Sequence, residues 1–461
     1  MTSPAHCSCT DFTRAQLLRG PAARAGMGLP AIEPGMPLPA GTGLSRRSFL
    51  LRSAGVALAV YGAGRLGVRQ LEEGVAQAAG APSQPVLVSI FLPGGCDGMS
   101  VLAPVGDPRY PSLRPTLKLA PGSGQAFTED PRLMWHPSAA GLATLHGENK
   151  VSVFPAVGYA HPDQSHFTSR HFWEVGALDA NNRLGWLGRY LDVAGNPDNP
   201  LQGLALDDNL APSLATARVP VAAVDSPAAY SWWASGIDDP LQSPMLDAFG
   251  ALGRVSPTSE AMRQARTAAG EADSVRRQLA PLISADGKPN YNSPVTYPPT
   301  GDFASRLAAL ASMLGRGLPI RCAALNGVGS YDTHSGQAQA LPANLKQTVD
   351  AVLAFQRDLE ARGLADRVLI QLWSEFGRRP GENGSGTDHG AAGTSFIIGT
   401  RSAGRMVGEF PGLATLDAED NLRATSDFRA MYCSLLEQWF GTDAGLVIPN
   451  ASSFARPTLV R

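Results

Sequence analysis

Lysine is scarce in this chain. It occurs only at positions 118, 150, 288 and 346, so nearly all of the positive charge is arginine. The formal net charge is −2, the isoelectric point lies near 6.5, and no stretch of the sequence forms a basic stripe. Because nucleic-acid-binding surfaces are built from clustered positive charge, this charge balance argues against a nucleic-acid partner.

Cysteine offers no recognisable framework for a metal cluster or for several disulfides. Cys7 and Cys9 lie near the N-terminus, and Cys96, Cys322 and Cys433 are far apart in the rest of the chain. No pair has the CxxC spacing. One disulfide among the last three is compatible with an oxidising compartment, although the sequence does not choose the pair. The other interpretation is that these cysteines are small buried hydrophobic residues.

The chain also lacks an apolar run of the ~20 residues that a membrane-spanning helix needs. A shorter apolar run at 54–63 follows the sequence SRRSFL at 45–50 and precedes the small-residue sequence AQA at 76–78. This order is typical of a twin-arginine signal peptide with its cleavage site, although an uncleaved amphipathic helix is the alternative. We therefore predict a disordered leader and signal peptide at 1–78, with no stable membrane span. The twin-arginine translocase is then a transient partner, and the mature chain is periplasmic or secreted.

Residues 79–461 alternate apolar strands with amphipathic helices, and they show no internal repeats. The predicted strands are Val86–Leu92, Val151–Val157, Ile320–Leu325, Arg367–Trp373 and Ser395–Gly399, with two shorter ones at Gly203–Leu206 and Val219–Val224. The predicted helices are His136–His146, 165–178, Leu184–Val193, 302–315, Ala338–Arg362 and 426–440. This alternation predicts an α/β domain whose mostly parallel sheet is sandwiched by helices. The less regular residues 200–300 are predicted to be a cap-like insertion.

Acidic and imidazole side chains recur in loops that come directly after predicted strands. They are Asp97 in PGGCDG, Asp332 and His334 in YDTHSGQ, Glu375 in WSEFGR, and Asp388 and His389 in TDHG. The carboxyl ends of parallel strands meet at one edge of a sheet, and divalent cations bind such oxygen and nitrogen donors. We therefore predict a metal site there for one or two ions, with Zn, Mn, Mg, Ca and Fe not distinguished.

Each of these candidate ligands also has a simpler interpretation. Asp97 is compatible with a turn residue that caps its own loop, and Asp332 with His334 is compatible with a solvated loop. Glu375 has Arg378 nearby in sequence, which is either an ion-pair partner or a group that binds an anionic ester. Asp388 is either a ligand or a residue that orients one.

The segment 161–171 places hydroxyl groups at the predicted start of a helix. The free N–H groups of a helix N-terminus attract anions, and a nearby metal would activate a hydroxyl there. We predict Ser165 as the nucleophile, with Thr168 as the second choice. One of His161, His166 and His171 is a candidate acid or base, and we select His166. The alternative for Ser165 is an ordinary helix N-cap.

With these motifs assembled, the chain resembles the bacterial DUF1501 family of twin-arginine-exported proteins. The resemblance spans 86–413 and rests on PGGCDG, SHF at 165–167, YDTH with Gln337, SEFGR and TDHG. That family in turn looks like a distant branch of the alkaline phosphatase and sulfatase superfamily, which implies an alkaline phosphatase-like fold.

The superfamily resemblance also implies roles for individual residues. It makes Asp97 the first metal-binding carboxylate and Ser165 the nucleophile. It makes Asp332, His334, Glu375 and His389 further metal ligands. Phe376 stands where the superfamily has a histidine ligand, so one ion, or two with weaker occupancy, is implied.

These observations lead to two functional hypotheses of different classes. The first is an exported metal-dependent hydrolase of phosphate or sulfate esters, acting on a small-molecule or polysaccharide substrate. The second is a non-catalytic binding protein on the same scaffold, in which Trp232 and Trp233 help to hold a polysaccharide or a protein partner.

Overall fold

The described part of the chain forms two compact units. The structure, a computed structural model, describes residues 59–61, 84–196, 199–226, 239–253, 266, 270, 273–284, 288–299 and 301–461. The larger unit comprises 84–164 and 279–461, and the smaller comprises 59–61, 165–225 and 239–278. The predicted export signal at 45–50, its cleavage site at 76–78 and Trp232–Trp233 lie outside the described residues.

A central sheet organises the larger unit. Its strands and an adjoining hairpin are β1 (Val86–Phe91), β2 (Val151–Gly158), β3 (Cys322–Asn326), β4 (Val368–Trp373), β5 (Arg378–Glu382), β6 (Thr387–His389), β7 (Gly393–Ile398) and β8 (Ser426–Asp427). The order in the sheet is β3-β1-β4-β7-β2-β8, while β5 and β6 form the separate antiparallel hairpin. The pairs β3–β1, β1–β4 and β2–β8 are parallel, and only β7 runs against its neighbours. The predicted mostly parallel α/β sheet is confirmed.

Every residue of β1, β2 and β4 is buried. Strands covered on both faces must be apolar at successive positions rather than at alternate ones, which explains the run VLVSIF in β1. The covering helices of this unit are α1 (Ala140–Gly147), α2 (Asp302–Gly315), α3 (Gln337–Ala361) and α4 (Phe428–Ser434), the last continued by a π-helical turn at Leu435–Trp439.

Helix α3 packs against α1 and α2. Its buried stripe includes Leu345, Val349, Val352 and Phe355, as the helical periodicity predicts. Burying one such side chain stabilises the fold by roughly 1.5–3 kcal/mol.

The structure differs from the sequence-based expectation mainly in two loops. Residues 104–130, for which the sequence predicts no helix or strand, contain a short helix, Tyr110–Leu113, and the strand Gln125–Ala126 of a three-stranded sheet. The hairpin β5–β6 lies between the predicted strands Arg367–Trp373 and Ser395–Gly399, where the sequence predicts no further strand. Its first strand reads RRPGE, a composition with low strand propensity, and the strand is stabilised by pairing with β6 and by contacts with other loops.

The smaller unit contains the helices His166–Val175, Trp186–Ala194 and Asp239–Gly253. Its strands Gly203–Ala205 and Val221–Ala223 pair in parallel, and Ala59–Tyr61 pairs antiparallel with the second of them. The predicted insertion at 200–300 overlaps this unit, which also takes in the residues from 165 onward.

Two sequence features concern the surroundings of the protein. Among the described helices, none combines the length and the apolar character that crossing a bilayer requires. Cys96, Cys322 and Cys433 are all buried and free, so of the two interpretations offered above the structure supports small hydrophobic residues. Burial raises the pKa of the Cys322 thiol to about 12, which keeps it protonated and unreactive.

Candidate metal site

The loops after β1, β3 and β4 lie side by side because these three strands are parallel neighbours. Backbone hydrogen bonds continue the pairing beyond the strand ends, from Leu92 N to Trp373 O at 2.7 Å and from Gly327 N to Phe91 O at 2.7 Å. The predicted convergence of the loops that carry Asp97, Asp332 and Glu375 therefore exists in the larger unit.

Two glycines allow the first of these loops to approach the others. Gly94 and Gly95 have φ values of +110° and +70°, a region that residues with a Cβ seldom adopt. A Cβ on Gly94 would lie 2.4 Å from the backbone nitrogen of Asp332, and one on Gly95 would lie 2.3 Å from the Phe376 ring. The turn therefore packs directly against the Asp332 loop.

Asp332 lies beside two imidazole rings. Its side chain is only 6% exposed, and its Oδ1 atom lies 3.2 Å from His334 Nε2 and 3.6 Å from His389 Nε2. The two rings are neighbours, with centroids 4.7 Å apart. A carboxylate between two imidazoles is a donor set typical of Zn²⁺, Mn²⁺ and Fe²⁺ sites.

The opposite nitrogen of each ring has an acceptor. His389 Nδ1 lies 2.8 Å from the Gln164 carbonyl oxygen, and His334 Nδ1 lies 3.1 Å from Asp388 Oδ1. A carbonyl or a carboxylate only accepts, so both Nδ1 atoms carry hydrogen and donate. In a neutral ring the lone pair is then on Nε2, facing the Asp332 carboxylate. Two lone pairs repel unless a proton or a cation lies between them, and metal-binding histidines are usually oriented by such acceptors.

Asp388, whose side chain is 53% exposed, orients His334 from the solvent side. It also accepts a hydrogen bond from Asn383 Nδ2 at 2.9 Å. Partial burial alone would raise the pKa of Asp388, but the hydrogen bonds from Asn383 and His334 lower it below its ordinary value. It is therefore an ionised acceptor at neutral pH.

Arg378 lies in the same site with its guanidinium group fully buried. Its Nη2 donates to Asp332 Oδ1 at 2.6 Å, and its Nη1 lies 3.2 Å from His334 Nε2. Its remaining donors go to backbone carbonyl groups at Gly94, Gly95, Tyr331 and Thr387. In this arrangement all of its N–H groups have protein partners, and a cation bound at Asp332 would share that carboxylate with Arg378.

Asp97 is fully buried and forms an ion pair with Arg114. Arg114 donates to Oδ2 at 2.6 Å and to Oδ1 at 3.0 Å, while Ser100 Oγ and Gln337 Nε2 each donate to Oδ2 at 2.6 Å. Burial alone would raise the pKa of Asp97, but the Arg114 charge and these hydrogen bonds outweigh it and hold the pKa below its ordinary value.

Glu375 is also fully buried. Its carboxylate accepts hydrogen bonds from Gly94 N at 2.9 and 3.3 Å and from Ser374 Oγ at 3.0 Å. Glu375 thus fixes the glycine turn after β1 to the end of β4. The ring centroids of Phe376 and His389 are 5.0 Å apart.

The predicted nucleophile and its neighbours belong to the smaller unit. Ser165 is the N-cap of the helix His166–Val175, and its Oγ accepts from Phe167 N at 3.2 Å and from Thr168 N at 3.4 Å. Thr168 is half-buried in the first turn, and His166 is buried. The N-cap interpretation of Ser165 is therefore realised in the structure, while the catalytic roles of these three residues stay predictions.

Sequence reasoning missed Arg114. This residue lies in a Pro-rich segment without periodicity, and nothing in its neighbourhood distinguishes it from a solvated loop arginine. Gln337 belongs to one of the motifs quoted above, but the sequence does not show that its side chain reaches Asp97. Gln164 acts through its backbone carbonyl, which no sequence motif identifies.

The family model that describes a protein of unknown function, DUF1501, matches residues 162–438. The chain belongs to this family. No curated protein matches the chain.

Several solved structures show a distant similarity. One is Ps i-CgsB, with 11% identity over 81% of this chain and 75% of that chain and a TM-score of 0.36; it has also been solved in complex with k-i-k-neocarrahexaose. The PsFucS1 sulfatase from Pseudoalteromonas sp. has 10% identity over 85% and 77%, with a TM-score of 0.35. The phosphonate monoester hydrolase SpPMH from Silicibacter pomeroyi has 12% identity over 81% and 75%, with a TM-score of 0.32. These scores are too low to assign an activity to the chain.

The glycine turn provides one testable prediction. Gly94→Ala should lower the free energy of unfolding by more than Gly122→Ala does, measured by urea titration. Gly122 has a similar positive φ but no atom within 4 Å of an added Cβ, so it reports the backbone cost alone, roughly 1–2 kcal/mol. The clash with Asp332 should add roughly 1–3 kcal/mol. Equal losses in the two variants would contradict the close packing described above.

The buried ion pair provides another prediction. Asp97→Asn should lower the free energy of unfolding at pH 7 by about 3–5 kcal/mol, because Arg114 is left buried without a counter-ion. The folded-state pKa of Asp97 lies below its unfolded value, so the wild type keeps this stabilisation above about pH 4 and loses it as the pH falls further. The difference between wild type and variant should therefore narrow below about pH 4 in urea titrations. A difference that does not change with pH would contradict the ionised pair.

Proposed function

We propose that this chain is an exported metal-dependent hydrolase of phosphate or sulfate esters. The observation that carries the proposal is the placement of His334 Nε2 and His389 Nε2 at 3.2 and 3.6 Å from Asp332 Oδ1. The Nδ1 atoms of both rings donate to oxygen acceptors. The Nε2 atoms of both rings therefore face the carboxylate, and that of His334 also accepts from Arg378 Nη1 at 3.2 Å.

The residues present fit a divalent cation at one position. Asp332 and His389 would bind the ion, with His334 beside it, and the Gln164 carbonyl and the Asp388 carboxylate would hold the two rings in place. When bound, such an ion polarises an ester oxygen and lowers the pKa of a hydroxyl group or water molecule beside it. Because Arg378 shares Asp332, its positive charge should weaken the binding of the ion compared with an unpaired carboxylate.

The choice of phosphate and sulfate esters rests on the resemblance of the motifs to the alkaline phosphatase and sulfatase superfamily. That resemblance assigns the nucleophile to Ser165, with Thr168 as the alternative, and leaves His166 as an acid or base. The substrate is then a small-molecule or polysaccharide ester. Support from this chain is the position of Ser165 at a helix start, where two backbone N–H groups point at its hydroxyl oxygen.

A second candidate function is a non-catalytic binding protein on the same scaffold. The observation that favours it is that Asp97 and Arg378, two groups expected to serve the chemistry, are both occupied by internal partners. The two candidates differ in whether the purified protein binds a metal and hydrolyses an ester.

Metal content and hydrolysis test the proposed function directly. The mature protein should contain close to one equivalent of a transition metal by elemental analysis and should hydrolyse at least one aryl phosphate or aryl sulfate. Asp332→Asn should weaken metal binding by more than the ~10–100-fold that loss of an orienting residue causes, because a ligand itself is lost. Hydrolysis should fall in parallel with metal binding.

Asp350→Asn is the matched control, since Asp350 lies on helix α3 and pairs with Lys346 at the surface. It should keep both the metal and the activity. A wild-type protein that takes up no metal at any concentration would exclude the hydrolase and favour the binding protein. Metal uptake without turnover of any ester would exclude the hydrolase alone.

The export step is tested separately. Replacement of Arg46 and Arg47 by lysine should leave the protein in the cytoplasm, because the translocase reads the arginine pair. The wild-type protein should be recovered from the periplasm or the medium with an N-terminus near Ala79, which N-terminal sequencing of the purified protein would establish. Export of the lysine variant at the wild-type level would contradict the twin-arginine prediction.

A further inference from the structure

We infer that the site takes a single cation and that Asp97 is a positioning residue rather than a metal ligand. Through Arg114 and Gln337, Asp97 holds the segments that carry the ligands. The inference rests on the proposed metal binding at Asp332, and it departs from the superfamily pattern, in which the carboxylate after the first strand binds metal.

The hydrogen bonds of Asp97 leave little room for a cation. Oδ2 accepts from Arg114, Ser100 and Gln337, all at 2.6 Å, and Oδ1 accepts from the second guanidinium nitrogen of Arg114. The guanidinium neutralises the carboxylate and would repel an ion placed beside it. Among the described residues, Asp97 does not belong to a group of three potential ligand atoms within 4.8 Å of one another.

Arg114 connects Asp97 to the hairpin β5–β6. Its Nε donates to Pro380 O at 2.5 Å and its Nη2 donates to Arg379 O at 3.0 Å, both in β5. In the pairing of β5 with β6, Arg378 stands opposite His389. Arg114 therefore fixes the strand that carries Arg378 and, across the hairpin, the position of His389.

Gln337 connects Asp97 to the segments around the other ligand residues. While its Nε2 donates to Asp97, its Oε1 accepts from Thr333 Oγ1 at 3.0 Å and from Thr387 Oγ1 at 2.7 Å. Thr333 stands between Asp332 and His334, and Thr387 directly precedes Asp388. A backbone hydrogen bond from Thr387 N to Thr333 O at 3.1 Å joins the two segments. One buried amide thus sets the distance between them.

These contacts are internal, directional and almost fully excluded from water. Asp97 and Arg114 have no exposed surface, and Gln337 and Thr387 are buried as well. A change at Asp97 is therefore expected to act on the cation through the position of Asp332 and His389 and not through the loss of a ligand. Loss of a residue that orients metal ligands typically weakens metal affinity about 10–100-fold.

The test is a titration of metal-free protein with Zn²⁺. Elemental analysis after dialysis gives the number of ions bound, and competition with a chromophoric chelator gives the Kd. Wild type and Asp97→Asn should each bind one equivalent at saturation, and the Kd of Asp97→Asn should rise about 10–100-fold. Asp332→Asn should lose the site. Asp107→Asn is the matched control, because Asp107 is buried in the same unit but accepts only from the backbone of Arg109 and Leu413, and its Kd should stay within about 2-fold of wild type.

Thr387→Val keeps the test valid if Asp97→Asn does not fold. The substitution removes only the hydroxyl group that donates to Gln337, and it should raise the Kd for Zn²⁺ at unchanged stoichiometry. Thr144→Val, at a hydroxyl of helix α1 that contacts only its own helix, should not change the Kd. Circular dichroism at the titration temperature confirms that each variant is folded, so a change in Kd does not reflect unfolding.

The outcomes separate the inference from the proposed function. If the wild type binds two equivalents of Zn²⁺ and Asp97→Asn binds one, Asp97 is a ligand. That result would overturn the inference and would still agree with the proposed metal binding. One equivalent with an unchanged Kd in Asp97→Asn and in Thr387→Val would overturn the positioning role. If the wild type binds no Zn²⁺, the result contradicts the proposed function itself.

Discussion

The buried pair of Asp97 and Arg114 is the interaction on which the arrangement of the site loops depends. Removing two charges from water is costly, and a bidentate contact with further hydrogen bonds offsets that cost. Here two further N–H groups of Arg114 donate to carbonyl groups of strand β5, and the carboxylate also accepts from Ser100 and Gln337. The pair therefore connects the loop after β1, the hairpin and the start of α3 in one arrangement.

A second buried arginine, Arg378, also pairs with a carboxylate of the larger unit. Arg114 compensates Asp97, and Arg378 compensates Asp332. A carboxylate that is paired with a guanidinium group attracts a cation less strongly than an unpaired one. The donor set that remains is rich in imidazole, whose rings are held by Gln164 and Asp388, and this balance suits one borderline-soft cation better than a pair of hard ones.

The sequence predicts most of the fold because the strands are apolar runs and α3 has a clear periodicity. It also places Asp97, Asp332 and Glu375 at one sheet edge, since strand-end loops of parallel neighbours must meet there. It does not predict what each carboxylate binds. Arg114 lies in a segment without periodicity, and its partner is 17 residues away through contacts that only the tertiary structure creates. The hairpin β5–β6 escapes prediction because RRPGE has no strand pattern of its own.

Because β7 runs antiparallel to β4, the connection between these two strands contains several of the candidate site residues. Strands β4 and β7 are antiparallel neighbours, so the chain between them never has to cross back over the sheet through a helix, as a parallel pair requires. The whole connection from Ser374 to Ala392 stays at the edge where the strand-end loops meet. One uninterrupted stretch thus supplies Glu375, Arg378, Asp388 and His389, and none of these residues belongs to a covering helix.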